Sequence, residues 1–66
     1  MEDLIITLIE SNDNKMVSLN QVITELKLSR EQQLILLSRL KSFKNISIMY
    51  EYNKRGQVIT FFKRAI

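Results

Sequence analysis

Apolar residues along this chain fall first in helical stripes and then in alternation. Residues 2–12, "EDLIITLIESN", set Leu4, Ile5, Leu8 and Ile9 along one side of a helix, with Glu2 and Asp3 in the first turn, where acids complement the helix dipole. The polar run "NDN" at 12–14 ends that helix, and "KMV" at 15–17 reads as a short extended stretch. Ser18 and Gln21 make an S-x-x-Q capping box, which starts a second helix whose Leu19, Val22, Ile23 and Leu26 follow i, i+3, i+4, i+7 spacing. That helix ends around Leu26 and Lys27. Ser29 and Gln32 repeat the box after a turn of about three residues, "KLS", so a third helix begins at once and the two must cross, as in a helix-turn-helix.

The period changes to two at Ile46, where Ile46, Ile48, Tyr50 and Tyr52 alternate with Ser47, Met49 and Glu51 and predict a strand. "NKRG" at 53–56 suits a type I turn closed by a left-handed glycine, and Gly56 is the only glycine in the chain. "QVITFFK" at 57–63 returns as a second strand. Pairing Tyr52 with Gln57 sets Tyr50 against Ile59 and Ile48 against Phe61, and a one-residue slip would invert the faces. The expected class is α+β, three helices followed by a two-stranded antiparallel hairpin, with 15–17 as a further short strand. Residues 1–66 form one domain.

At 66 residues the chain buries only about 60% of the surface that its unfolded form exposes. It holds no cysteine and no histidine, so neither disulfides nor the usual zinc ligand sets reinforce the core. With no P-loop, no glycine-rich cradle and no activated nucleophile, no catalytic residue, metal, cofactor or small-molecule substrate is expected, and the chain does not read as an enzyme. No signal-like leader and no apolar run near the roughly 20 residues needed to cross a bilayer are found, so a cytoplasmic location without a membrane partner is expected. The abundance of Ile, Asn and Lys beside a single alanine points to AT-rich coding sequence, such as that of a low-GC microbe or a mobile genetic element.

Net charge is +3, unevenly spread. Residues 1–29 hold two lysines against five acids, net −3, and residues 30–66 hold eight basic residues against two acids, net +6. A polyanion would meet the C-terminal half.

The order of elements resembles the winged-helix family, a helix-turn-helix variant with an added β-hairpin wing. The resemblance spans residues 2–64 and rests on "SLNQVITELKLSREQQ", with a cap before each helix of the pair, on "SRLKSFKNISIMY", and on the basic wing tip "NKRG". It implies DNA as a partner. The third helix would enter the major groove with Arg30, Gln32, Ser38 and Arg39 as contacts, and the wing would bring Lys54 and Arg55 to phosphates or the minor groove. Lys41, Lys44, Lys63 and Arg64 would add phosphate contacts that position without reading sequence. The implied roles are a small regulator or an accessory factor of DNA replication or maintenance, acting as a homodimer, or an adaptor that docks on a larger nucleic-acid-processing protein.

The third helix departs from a simple reader. Residues 30–44 at 100° per residue set Leu36, Leu37, Leu40 and Phe43 toward the core, Ile35 with Glu31, Ser38 and Ser42 on the opposite face, and Leu34 on a flank. Three fates are open for Leu34 and Ile35: cover by the 12–17 loop or a rotated helix, contact with thymine methyl groups, or contact with a protein. Met49, Val58 and Phe62 on the outer hairpin face are further interface candidates, unless they pack under the C-terminal "RAI".

Overall fold

The computed structural model describes residues 1–65, and the expected role of Ile66 within "RAI" lies outside the described residues. Three helices cover one face of a three-stranded antiparallel sheet of order β1-β3-β2, with α1 at Glu2–Ser11, β1 at Val17–Ser18, α2 at Leu19–Glu25, α3 at Arg30–Ser38, β2 at Ile46–Tyr52 and β3 at Val58–Arg64. The class is α+β as expected. The short extended stretch is a strand only at Val17–Ser18, sharing just Val17 with the expected 15–17, and it makes the sheet three-stranded by pairing Val17 with Phe62 and Ser18 with Phe61.

Each helix boundary has a local cause. At the end of α1, Asp13 and Asn14 take left-handed φ values of 57° and 59°, which Asp and Asn tolerate better than most residues, and the Asn14 amide donates to the Ile9 carbonyl at 2.9 Å. Ser18 Oγ accepts from the Gln21 amide at 3.0 Å, so only the serine half of the expected box forms there, at a residue that also belongs to β1. The box at Ser29 is complete. Ser29 Oγ accepts from the Gln32 amide at 3.2 Å, and the Ser29 amide donates to Gln32 Oε1 at 2.8 Å. Between the two helices Lys27 sits at φ 51°, a left-handed position that costs an L-residue roughly 1 kcal/mol, while the Leu28 amide donates to the Ile23 carbonyl across it.

The hairpin register differs from the expected one by one residue. Tyr52 pairs with Val58, Tyr50 with Thr60 and Ile48 with Phe62. Asn53 causes the shift: its amide donates to the Gln57 carbonyl, its Oδ1 accepts from the Arg55 and Gln57 amides, and Gly56 at φ 76° completes a three-residue loop. Because side chains alternate, one residue of slip exchanges the two faces of β3. Phe62, expected on the outer face as an interface candidate, is instead fully buried, and Phe61 takes the outer position opposite Met49. Val58 is exposed as expected but lies on the same row as Tyr50 and Tyr52, opposite to Met49.

The core consists of Ile5, Ile9, Val17, Val22, Leu36, Ile46 and Phe62, with Ile6, Leu8, Leu19, Leu26, Leu28, Leu40, Phe43 and Ile48 packed against it. Leu4, expected in the α1 stripe, is exposed, because the buried line of α1 runs through Ile5 and Ile9 and leaves Leu4 beyond its edge. Among the described residues the core holds no polar or charged residue, and no buried side-chain polar atom lacks a hydrogen bond. Two long-range contacts fasten the ends: Glu2 Oε2 accepts from the Asn45 amide at 2.8 Å, and Arg64 Nη1 lies 3.2 Å from Glu10 Oε2. Among the described residues no helix is long and apolar enough to cross a membrane.

Two stability measurements check this packing. Phe62→Ala should cost about 3–5 kcal/mol and leave so small a domain largely unfolded, whereas Met49→Ala on the outer row should cost less than about 1 kcal/mol. Urea titration followed by circular dichroism would read both, and a loss at Phe62 no larger than that at Met49 would show that Phe62 does not face the core and would restore the other register. Lys27→Gly should raise stability by up to about 1 kcal/mol by relieving the left-handed strain, and no gain in urea midpoint would contradict the φ assigned to Lys27.

Candidate nucleic-acid interface and an exposed apolar helix face

The basic residues of the C-terminal half gather on the ends of elements rather than along one strand or helix. Arg30 opens α3 and Arg39 caps its end, Lys41 lies in the 3-10 turn Leu40–Ser42, Lys44 precedes β2, and Lys63 and Arg64 close β3. Lys54 and Arg55 occupy the hairpin tip, where the Asn53 side chain holds the backbone in place. All eight are solvent-exposed.

Among the described residues the single ion pair is Arg64 with Glu10. Both partners are about half exposed, so the pair contributes at most about 1 kcal/mol, yet it holds Arg64 toward a carboxylate and makes it a poorer phosphate ligand than expected. The other seven, Arg30, Arg39, Lys41, Lys44, Lys54, Arg55 and Lys63, have no carboxylate within ion-pair distance among the described residues. Their charge is therefore available to an external anion.

The candidate base readers on α3 are more constrained. Gln32 Oε1 accepts from the Ser29 amide, so the helix cap engages one of its two lone pairs and a two-point contact with adenine has only the other to use. Ser38 donates its hydroxyl proton to the Ile35 carbonyl at 2.7 Å and keeps only acceptor capacity.

The apolar surplus of α3 is larger than expected. The regular helix ends at Ser38 and continues as the 3-10 turn, so the stretch 30–44 is not one helix, and Leu40 and Phe43 reach the core from outside it. Within α3 only Leu36 is buried, while Leu37, expected in the core, is 48% exposed. At 100° per residue Ile35 and Leu37 flank Leu36 on either side and Leu34 lies about 160° away. They are exposed by 48% for Ile35 and 62% for Leu34, so neither the 12–17 loop nor a helix rotation covers them.

The hairpin carries two different faces. On the outer row, Met49 and Phe61 join Met16, Lys15 and Lys63 around an open, mostly apolar groove of about 600 Å³. On the other row the residues run outward from buried Ile46 through half-buried Ile48 to Tyr50 and Tyr52, which are 63% and 78% exposed. Sequence reasoning missed both tyrosines as site residues, because alternation with Ile46 and Ile48 makes them read as core. The signal available was length: a seven-residue strand at about 3.3 Å per residue extends farther than the short helices above it can cover.

No group of three or more His, Cys, Asp or Glu that could hold a metal ion is found among the described residues. Compared with known proteins, the chain matches no family model, no curated protein and no solved structure.

The orientation of α3 predicts a split between neighbouring leucines. Leu36→Ala should cost about 2–5 kcal/mol, while Leu34→Ala and Leu37→Ala should each stay within about 0.5 kcal/mol of the parent in chemical denaturation. Equal losses at Leu36 and Leu37 would mean that Leu37 belongs to the core.

Proposed function

We propose that the chain is a small winged-helix protein that binds nucleic acid, with α2 and α3 as the helix-turn-helix pair and the β2–β3 hairpin as the wing. The observation that carries this reading is the set of seven exposed cations without carboxylate partners, two of them on the immobilised hairpin tip. Such a set binds phosphates with release of counterions, and its affinity falls steeply with salt. Lys54 and Arg55 anchor the wing, Arg30 and Arg39 bracket α3, and Lys41, Lys44 and Lys63 add positioning contacts. A module of this size gives little specificity alone, so the working form is a homodimer or a complex. The role in the cell is that of a cytoplasmic regulator, or of an accessory factor in DNA replication or maintenance, encoded on a mobile element.

The exposure of Leu34, Ile35 and Leu37 favours a second activity, that of an adaptor. Leu34 and Leu37 adjoin at i, i+3 spacing and Ile35 stands beyond Ser38 and Glu31 on the same outward side, an exposed aliphatic surface of the kind that marks an interaction site. Under this reading α3 meets protein and the hairpin meets nucleic acid.

Anisotropy titration of a labelled duplex at two salt concentrations tests the first reading. Replacing Lys54 and Arg55 together by alanine should weaken binding at low salt and reduce the slope of log K against log salt by about 2. Absence of binding at low salt, or indifference to the double substitution, sinks it. For the adaptor, Ile35→Glu should abolish self-association or partner capture while leaving the circular dichroism melt unchanged, and unaltered assembly would remove α3 as the contact face.

A further inference from the structure

We propose that Tyr50 and Tyr52 form a stacking platform for unpaired bases, so that the nucleic acid engaged by the hairpin is single-stranded or locally melted. The inference rests on the nucleic-acid reading above and adds to it the form of the ligand. Both rings project from one face of β2, two residues apart and therefore about 6.6 Å apart along the strand. Their cross-strand partners are Thr60 and Val58, small enough to leave the rings open.

Charge selects the occupant. The platform ends at the tip cations Lys54 and Arg55, and the one acid of the hairpin, Glu51, points to the opposite face. A cation-tipped aromatic row matches a chain of phosphates bearing flat bases, since base-to-aromatic stacking contributes about 1–3 kcal/mol per base and works with any base. A duplex cannot supply that contact, because its base faces are already covered by one another at a 3.4 Å rise, about half the spacing of the two rings. Beyond β1, the β3 edge at Val58–Thr60 has no neighbouring strand and borders a cleft of about 340 Å³ shared with Leu19 and exposed Asn20.

The test uses the only two tyrosines of a chain that has no tryptophan, so intrinsic emission reports these two positions alone. Titrating the full chain at low salt with a short oligothymidylate, corrected for its absorbance, should quench that emission, and oligothymidylate should bind more tightly than a duplex of equal length. Alanine at Tyr50 or Tyr52 should each weaken oligothymidylate binding by about fivefold to 100-fold. Phenylalanine should preserve it, while leucine, which keeps apolar bulk without a π face, should behave as alanine does. Circular dichroism melts that match the parent would confirm that the variants fold. The platform is overturned, with nucleic-acid binding intact, if Tyr50→Ala with Tyr52→Ala binds oligothymidylate as the parent does while Lys54→Ala with Arg55→Ala does not. It is overturned equally if the tyrosine variants change the oligomeric state and not the affinity, which would make the face a protein contact. Binding to neither oligothymidylate nor duplex overturns the nucleic-acid reading itself, and the platform with it.

Discussion

The fold depends on the burial of Phe62. It sits on the central strand, opposite Val17 of β1 and Ile48 of β2, and is the largest of the fully buried side chains. Placing that ring inward fixes which row of β3 faces the helices, and so requires the hairpin register in which Asn53, not Tyr52, closes against Gln57. The two-residue strand β1 then has a defined place. Its Val17 packs beside the ring, and its Ser18 begins α2 directly from the sheet. In a chain of 66 residues with no cysteine and no histidine, the hydrophobic contribution of one buried aromatic ring is a large share of the whole.

A core this small leaves surface that a larger domain would cover. α3 commits one leucine to it and presents three aliphatic side chains to water, and the inward row of the hairpin runs out from under the helices before its two tyrosines. The largest patches of this surplus lie on the outward side of α3 and on the outer half of the hairpin, with exposed cations at the ends of both. Under the proposed function these patches divide the work: the hairpin takes phosphates and bases, and α3 takes protein.

Much of this was legible in the chain because it depends on neighbours in sequence. Capping by Ser18 and Ser29, the left-handed stop after α1, the alternation of β2 and the glycine of the hairpin loop all follow from interactions spanning five residues or fewer. So did the gathering of positive charge in the second half and its presence on the hairpin tip. The register was not legible, since the loops closed by Tyr52–Gln57 and by Asn53–Gln57 both satisfy "NKRG" and differ only in whether Phe61 or Phe62 finds a cavity to fill. Nor was the fate of Leu37, which turned on the change from α-helix to 3-10 turn after Ser38.

The sequence by itself therefore determined the α+β class, the order of elements, their caps and the distribution of charge, because each is set by local hydrogen bonds or by composition. Tertiary structure alone decided which apolar residues are core and which are surface. Phe62 is fully buried and Phe61 is not, Leu36 is in and Leu34, Ile35 and Leu37 are out, and Tyr50 and Tyr52 are exposed although they alternate in phase with buried Ile46. The physical reason is that periodicity specifies a face but not what lies against it. Burial is a property of the volume enclosed between elements, and in a domain this small that volume ends before the apolar pattern does.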